Sequence, residues 1–347
     1  MATSVVPPLQ LLGKLGAGAF GEVFEGQDGV HGCVAVKVMS RSPTETAADW
    51  DKRKAGLLAE AQRLSAAEHR NVVRVHSISE TTGGDSIHLC MAFCPGGSLQ
   101  RAYEQGPLPL EAVRKIATDI TLGLDALHAR GMLHRDIKPG NILLDSHGVA
   151  LLGDFGLVTD RLLHGYGSAA GYSDHIAYEV WSTWVTSPKS DIWALGMTLY
   201  RLLHGHQWYL ADPAPRTAVP AGGYANNLRW LPHVPSGWRR MIRKTLNDDT
   251  SLRFQSAQQV LNALSSLDTP SWRVQLNSDS VRWELTTGGR LRVVEWSWQS
   301  PRKHRWGAWS EPLGATGRNK SLGGSVSHQG LRQTIKELEE FFERPSH

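Results

Sequence analysis

Two short stretches concentrate the groups that could do chemistry. In "LHRDIKPGNILL" (residues 133–144) Asp136, Lys138 and Asn141 stand between apolar runs, and "LLGDFGLV" (residues 151–158) adds Asp154, eighteen residues after Asp136. Two carboxylates, an ammonium and an amide at the ends of strand-like segments would each cost several kcal/mol if buried without partners, so they belong to a working loop region rather than to a core. Upstream, "LGAGAFGEVFEG" carries Gly16, Gly18 and Gly21 in G-x-G-x-x-G spacing. A dinucleotide fold would start a helix after the third glycine, whereas "EVFEG" continues as a strand, which favours a hairpin lid over phosphates. The next strand, "CVAVKVM", places Lys37 in an apolar run, where a lysine needs anions to stay charged. Phosphate oxygens and a carboxylate would supply them; Glu60 is the best candidate, ahead of Glu45 and Glu68.

These groups need elements to hold them. Residues 9 to about 94 alternate β-type runs with glycines, interrupted by one helical stretch, "AADWDKRKAGLLAEAQRLSAAE". From about 95 to 268 the pattern turns helical. In "LEAVRKIATDITLGLDALHARG" Val113, Ile116, Ile120, Leu124 and Leu127 mark one face and Gly131 is a stop signal. After residue 268 the composition shifts: residues 272–309 hold six of the thirteen tryptophans, in β-type runs, and the Gly- and Ser-rich "GATGRNKSLGGSVS" leads into an amphipathic helix near the C-terminus. The expected division is a tail over 1–8, a two-lobed domain over 9–268 and a Trp-rich basic domain over 269–347.

A net charge of +4 is too mild to predict nucleic-acid binding on its own. Three scattered cysteines, Cys33, Cys90 and Cys94, argue against a disulfide framework or structural zinc. No apolar run reaches the length of a membrane helix, and no leader pattern opens the chain, so a cytoplasmic location is expected.

The order of the motifs is what gives them specificity. The glycine loop, "VAVK", H-R-D-x-K-x-x-N and D-F-G together resemble eukaryotic-type serine/threonine protein kinases, over roughly residues 9–268. The resemblance implies an α+β bilobal fold with ATP and magnesium, or manganese in its place, between the lobes. It implies that Gly16, Gly18 and Gly21 cover the phosphates, that Lys37 contacts them, and that Glu60 orients Lys37. It further implies that Asp136 handles the hydroxyl proton, Lys138 neutralises the transferred phosphoryl group, and Asn141 and Asp154 hold metal. "HLCMAFCPGGSL" resembles the family's hinge, with Met91 at the back of the adenine pocket and the Ala92–Cys94 backbone at its edge; Val23 and Ala35 complete the nucleotide-binding set. Asp191 in "SDIWALGMTLYRLLHG" is the family's brace for the catalytic loop.

"GYSDHIAYE" falls where the family has G-T-x-x-Y-x-A-P-E. Glu179 is thereby expected to pair with Arg253, while Tyr172 replaces the threonine and Tyr178 the proline. Arg135 would either receive an activation-loop phosphate on Thr159, Tyr166, Ser168, Tyr172 or Ser173, with Ser168 preferred, or be satisfied by backbone or a fixed carboxylate. The tail over 270–347 has twelve Lys or Arg against eight Asp or Glu. Its interleaved Arg and Trp could stack on nucleic acid, but a small core containing Trp283, Val293 and Trp296, with arginines on its rim, is the favoured reading. Such a domain would dock on the kinase, recruit a protein substrate or bind a partner. The alternatives to an active kinase are a kinase-fold scaffold and a kinase acting on a non-protein substrate.

Overall fold

Runs of β-branched residues build the first lobe as strands β1 (Gln10–Gly18), β2 (Gly21–Asp28), β3 (Gly32–Ser40), β4 (Val75–Glu80) and β5 (Ser86–Ala92), with helix α1 (Ala47–Ser65) between β3 and β4. The computed structural model describes residues 9–18, 21–65, 68–154, 173–314 and 317–344; the side chains of Glu60, Arg63, Leu64 and Ser173 lie outside it. The five strands form one antiparallel sheet in the order β1-β2-β3-β5-β4. Its register sets Val23 opposite Lys37 and Ala35 opposite Met91. Since successive side chains alternate between faces, Val23, Ala35, Lys37 and Met91 share one face. Val34, Val36 and Cys90 close the other and are essentially inaccessible.

The second lobe contains the small sheet β6 (Gly97–Ser98), β7 (Ile142–Leu144) and β8 (Ala150–Leu152) and the helices α2 (Leu99–Gln105), α3 (Leu110–His128), α4 (Tyr178–Thr183), α5 (Pro188–Tyr209), α6 (Pro215–Ala218), α7 (Ser236–Thr245) and α8 (Ala257–Ser265). The five apolar positions read from α3 are all buried, and the chain turns away at Gly131. Helix α5 starts at a capping box between Ser187 and Ser190, with Pro188 in its first turn. Its side chains are apolar on every face from Ile192 to Leu203 apart from Thr198 and Arg201, so it runs through the centre of the lobe. It kinks at Gly205.

The tryptophan-rich segment forms a meander of β9 (Arg273–Leu276), β10 (Ser280–Thr287), β11 (Arg290–Ser300), β12 (Lys303–Pro312) and β13 (Lys320–Gly324), followed by α9 (Leu331–Glu343). Trp283 pairs with Val294, and Val281 and Trp306 flank Trp296 on the same face, which packs against α9 and the helical lobe. Trp283, Val293 and Trp296 are all buried, but Val293 lies on the opposite face, between Glu284 and Trp309. On that face Arg282 pairs with Glu284 (2.8 Å) and Glu295 (3.4 Å) and stacks on Trp309, so its charge is already met by carboxylates.

Strand β13 arises inside the stretch read as a connection. Glycine there is a requirement of packing: a Cβ on Gly324 would lie 3.0 Å from the Trp306 carbonyl oxygen, and both Gly323 and Gly324 have positive φ. The meander docks on the helical lobe through Phe342, whose ring meets Trp272, Trp283 and His233 at 5.2, 5.2 and 6.2 Å. An Arg239–Glu339 ion pair joins α7 to α9. Among the described residues no helix is long and apolar enough to cross a membrane, and the three cysteines are free thiols.

Candidate active site

The loop between α3 and β7 is held from below by Asp191. Its carboxylate, 1% exposed, accepts the backbone N–H groups of His134 (2.9 Å) and Arg135 (2.8 Å) and the His128 Nε2 proton (2.9 Å). Arg135 has φ of 69°, an αL conformation unusual outside glycine, and two adjacent amides aimed at one carboxylate offset its cost. His134 is fully buried, and burial pushes its pKa down, so the ring is neutral. Its Nε2 donates to the Gly153 carbonyl (3.2 Å) and its Nδ1 accepts from the Asp136 N–H (3.3 Å). One imidazole thus ties the residue before Asp154 to Asp136.

Above this support the polar groups converge. Asp136 Oδ2 accepts from Lys138 Nζ and Asn141 Nδ2, both at 2.7 Å, and its carbonyl accepts from Asn141 Nδ2 at 2.9 Å. Burial lowers the Lys138 pKa, and the Asp136 carboxylate opposes that shift. Asp154 takes φ of 47° and bonds Lys37. Lys37 is buried while Asp154 is partly open to the cleft. Asp136, Lys138, Asn141, Asp154 and Lys37 therefore form one cluster. Glu60 lies on α1, with its side chain outside the described residues; Glu45 pairs with Arg53 (2.7 Å) and Glu68 with Arg74 (3.3 Å).

The glycines lie on paired strands β1 and β2, with Gly16 opposite Val23 and Gly18 opposite Gly21. Gly21 cannot be replaced cheaply: its φ is 135°, and a Cβ there would lie 2.2 Å from the Val38 carbonyl oxygen. At the hinge the Ala92 N–H donates to the Arg74 carbonyl (2.9 Å), which removes it from the edge expected to meet adenine. The Cys94 thiol is buried, which pushes its pKa up to about 11 and keeps it protonated.

Below the site, Glu179 and Arg253 form a two-pronged pair at 2.8 and 2.9 Å. Arg253 also donates to the carbonyls of Lys189 and Asn247, so a fully buried guanidinium has every face engaged. A second network was not read from the sequence. Arg201 Nη1 donates to His175 Nε2 (2.6 Å), and the guanidinium lies between the rings of Tyr103 and Tyr209 at 4.5 and 4.7 Å. Burial holds the His175 pKa well below its ordinary value. The far side of His175 faces Thr198 Oγ1 (3.5 Å), which donates to the carbonyl of Ile137. Next to it, burial raises the Asp174 pKa, and Tyr209 donates to its carboxylate (2.7 Å). The available signal was Arg201 itself, an arginine inside the apolar run "TLYRLL" that had to find partners. Thr159, Tyr166, Ser168 and Tyr172 lie outside the described residues, as does the Ser173 side chain.

Comparison with known proteins agrees with this geometry. The protein kinase domain family matches residues 9–264. A hormonally up-regulated neu tumor-associated kinase homolog A from Xenopus laevis is 31% identical over 255 residues, covering 72% of this chain and 36% of that protein. Serine/threonine-protein kinase PknD from Mycobacterium tuberculosis (strain ATCC 25618 / H37Rv) is 31% identical over 267 residues, covering 72% and 38%. Serine/threonine-protein kinase ssp1 from Schizosaccharomyces pombe is 26% identical over 314 residues, covering 82% and 48%. The chain thus spans between about a third and a half of the length of these relatives. The family match opens just before β1 and closes inside α8, leaving the meander and α9 outside it. With Asp191, the loop around Asp136 and the Glu179–Arg253 pair all inside that span, the chain belongs to the protein kinase family.

Proposed function

We propose that the chain transfers the γ-phosphoryl group of ATP to serine or threonine hydroxyls of proteins, with magnesium, and that the C-terminal sheet recruits a substrate or partner. The observation carrying this reading is the cluster in which Asp136, hydrogen-bonded by Lys138 and Asn141, faces the Lys37–Asp154 pair. Asp136 accepts the hydroxyl proton as the oxygen attacks. Lys138, already within 2.7 Å of that carboxylate, neutralises charge on the group in transit. Lys37 exchanges part of its contact with Asp154 for phosphate oxygens. The Asp154 carboxylate and the Asn141 amide oxygen are hard donors of the kind magnesium takes alongside phosphates, and they are the residues that would hold it. When bound, the metal supplies positive charge between the phosphates.

Serine/threonine selectivity is supported by Lys138 and by the names of the relatives, two of which are serine/threonine-protein kinases. The test compares wild type with Asp136→Ala, using labelled ATP, magnesium and a protein extract, followed by phosphoamino-acid analysis. Phosphoserine or phosphothreonine made by wild type alone is the expected result. Equal labelling by both proteins, or label in nucleic acid or metabolites, would overturn it.

A further inference from the structure

A cavity of about 640 Å³ lies between the helical lobe and the C-terminal meander, remote from the cluster around Asp136. That volume falls within the range of small-molecule pockets, roughly 300–1,000 Å³. Its walls come from both domains. The lobe contributes Trp208 and Trp230, each with an arginine over its ring: Arg229 at 5.1 Å and Arg243 at 5.4 Å from the ring centroids. The meander contributes Trp296 and Trp298, whose centroids are 5.1 Å apart. Trp230 and Trp296 are buried and form the floor, while the half-buried Trp208 and Trp298 offer faces on which a flat ring can stack.

Charge gives the lining a sign. Arg229 donates to Asp212 at 2.7 Å. Arg239 is occupied by Glu339 and by the carbonyls of Val234 and Pro232. Arg243 has a tryptophan face but, among the described residues, no carboxylate within ion-pair distance. Burial and the neighbouring positive charge of Arg239 lower its pKa, and the Glu339 carboxylate opposes that shift. The Trp230 Nε1 is also buried without a hydrogen-bond partner among the described residues. Three arginines, Arg229, Arg239 and Arg243, set against Glu339 and Asp212 leave one positive charge in excess.

We infer that this cavity is a binding site for a small planar aromatic anion, its ring stacked on Trp208 and Trp298 and its carboxylate or phosphate paired with Arg243. The ligand touches both domains, so occupancy favours the docked arrangement over the separated one. The site is independent of phosphoryl transfer and stands or falls separately from it.

The experiment is isothermal titration calorimetry on the full chain, with the ATP site saturated by a non-hydrolysable ATP analogue. Two anions are titrated, indole-3-acetate for aromatic carboxylates and guanosine monophosphate for nucleoside phosphates, with indole and guanosine as uncharged partners. One anion is expected to bind at one per chain, at least about tenfold tighter than its uncharged partner and with at least about tenfold loss in Arg243→Gln, the range of a charge-assisted hydrogen bond. Trp298→Ala is expected to weaken it similarly. The member that binds identifies the source. No binding of either anion below about 1 mM (a barely −4 kcal/mol interaction), equal affinity for charged and uncharged partners, affinity unchanged in both variants, or binding of an oligonucleotide alone would each overturn the inference. Should Arg243→Gln fail to fold, the charged-against-uncharged comparison on wild type still decides.

Discussion

Asp191→Asn is nearly isosteric, yet it removes one acceptor from a carboxylate with three buried donors around it. Oδ2 receives His134 N–H and His128 Nε2, and Oδ1 receives Arg135 N–H. If the amide oxygen takes the Oδ2 position, the new NH₂ group faces the Arg135 N–H; in the other orientation it faces the two histidine donors. The better orientation still loses one charge-assisted hydrogen bond, about 1.5–3 kcal/mol, and weakens two more to neutral bonds, about 1 kcal/mol each. The expected loss is therefore about 3 to 5 kcal/mol, a large share of a typical domain's stability. Urea denaturation followed by near-UV circular dichroism measures it. Amide exchange at His134 and Arg135 should accelerate together, because both protons lose the same acceptor, and turnover should fall as Asp136 shifts with the loop. A variant within about 1 kcal/mol of wild type, with both amides still protected, would refute the bracing argument.

Other outcomes follow from the same geometry. Glu179→Ala strands a fully buried Arg253 that keeps only carbonyl partners; about 3 kcal/mol of destabilisation is expected, with a smaller loss in Glu179→Gln, and thermal denaturation ranks the two. Lys37→Met should cut phosphoryl transfer by about 10²-fold or more while moving the melting temperature little, since its partner Asp154 is partly solvated; kinetics and calorimetry read the two effects separately. Four buried histidines, His134, His175, His204 and His233, have pKa values lowered by burial, the last two to about 3. Below about pH 6.5 the unfolded chain binds more protons at these sites than the folded one, so stability falls with pH. His204 and His233 each contribute about 1 kcal/mol of loss between pH 6.5 and 5.5, His134 and His175 add to it in the same direction, and urea midpoints across that window should show it. His175→Gln should shrink the slope.

Much of the candidate site was legible because phosphoryl transfer needs fixed residue types at short spacings: Asp136, Lys138, Asn141 and Asp154 lie within eighteen positions of one another. Helix α3 was legible for a different reason, since its buried face repeats at the helical period. Glu179 and Arg253 are 74 residues apart, and only the family resemblance suggested their pairing. Features that depend on shape were hidden. Glycine marks a loop in sequence, yet Gly323 and Gly324 form a strand because that strand must lie against Trp306. Val293 and Val294 differ only in which face the register gives them. The docking of two domains through Phe342 and Trp283 left no periodic trace, since an indole that builds its own core and one that meets a neighbour look alike in sequence.

The docked meander also separates two meanings of the word domain. The protein kinase family match ends at residue 264, but physical continuity does not: Trp238 donates to the carbonyl of Asp268, Arg114 to that of Leu267, and His233 of the helical lobe has its ring against Trp283 and Phe342. A chain cut at 268 would keep every residue of the active-site cluster and expose indole and imidazole faces that the segment beyond 268 keeps dry. The unit that the family match delimits is therefore shorter than the unit these contacts hold together, and a single unfolding transition for the whole chain, replaced by aggregation in the truncated one, is its expected calorimetric signature.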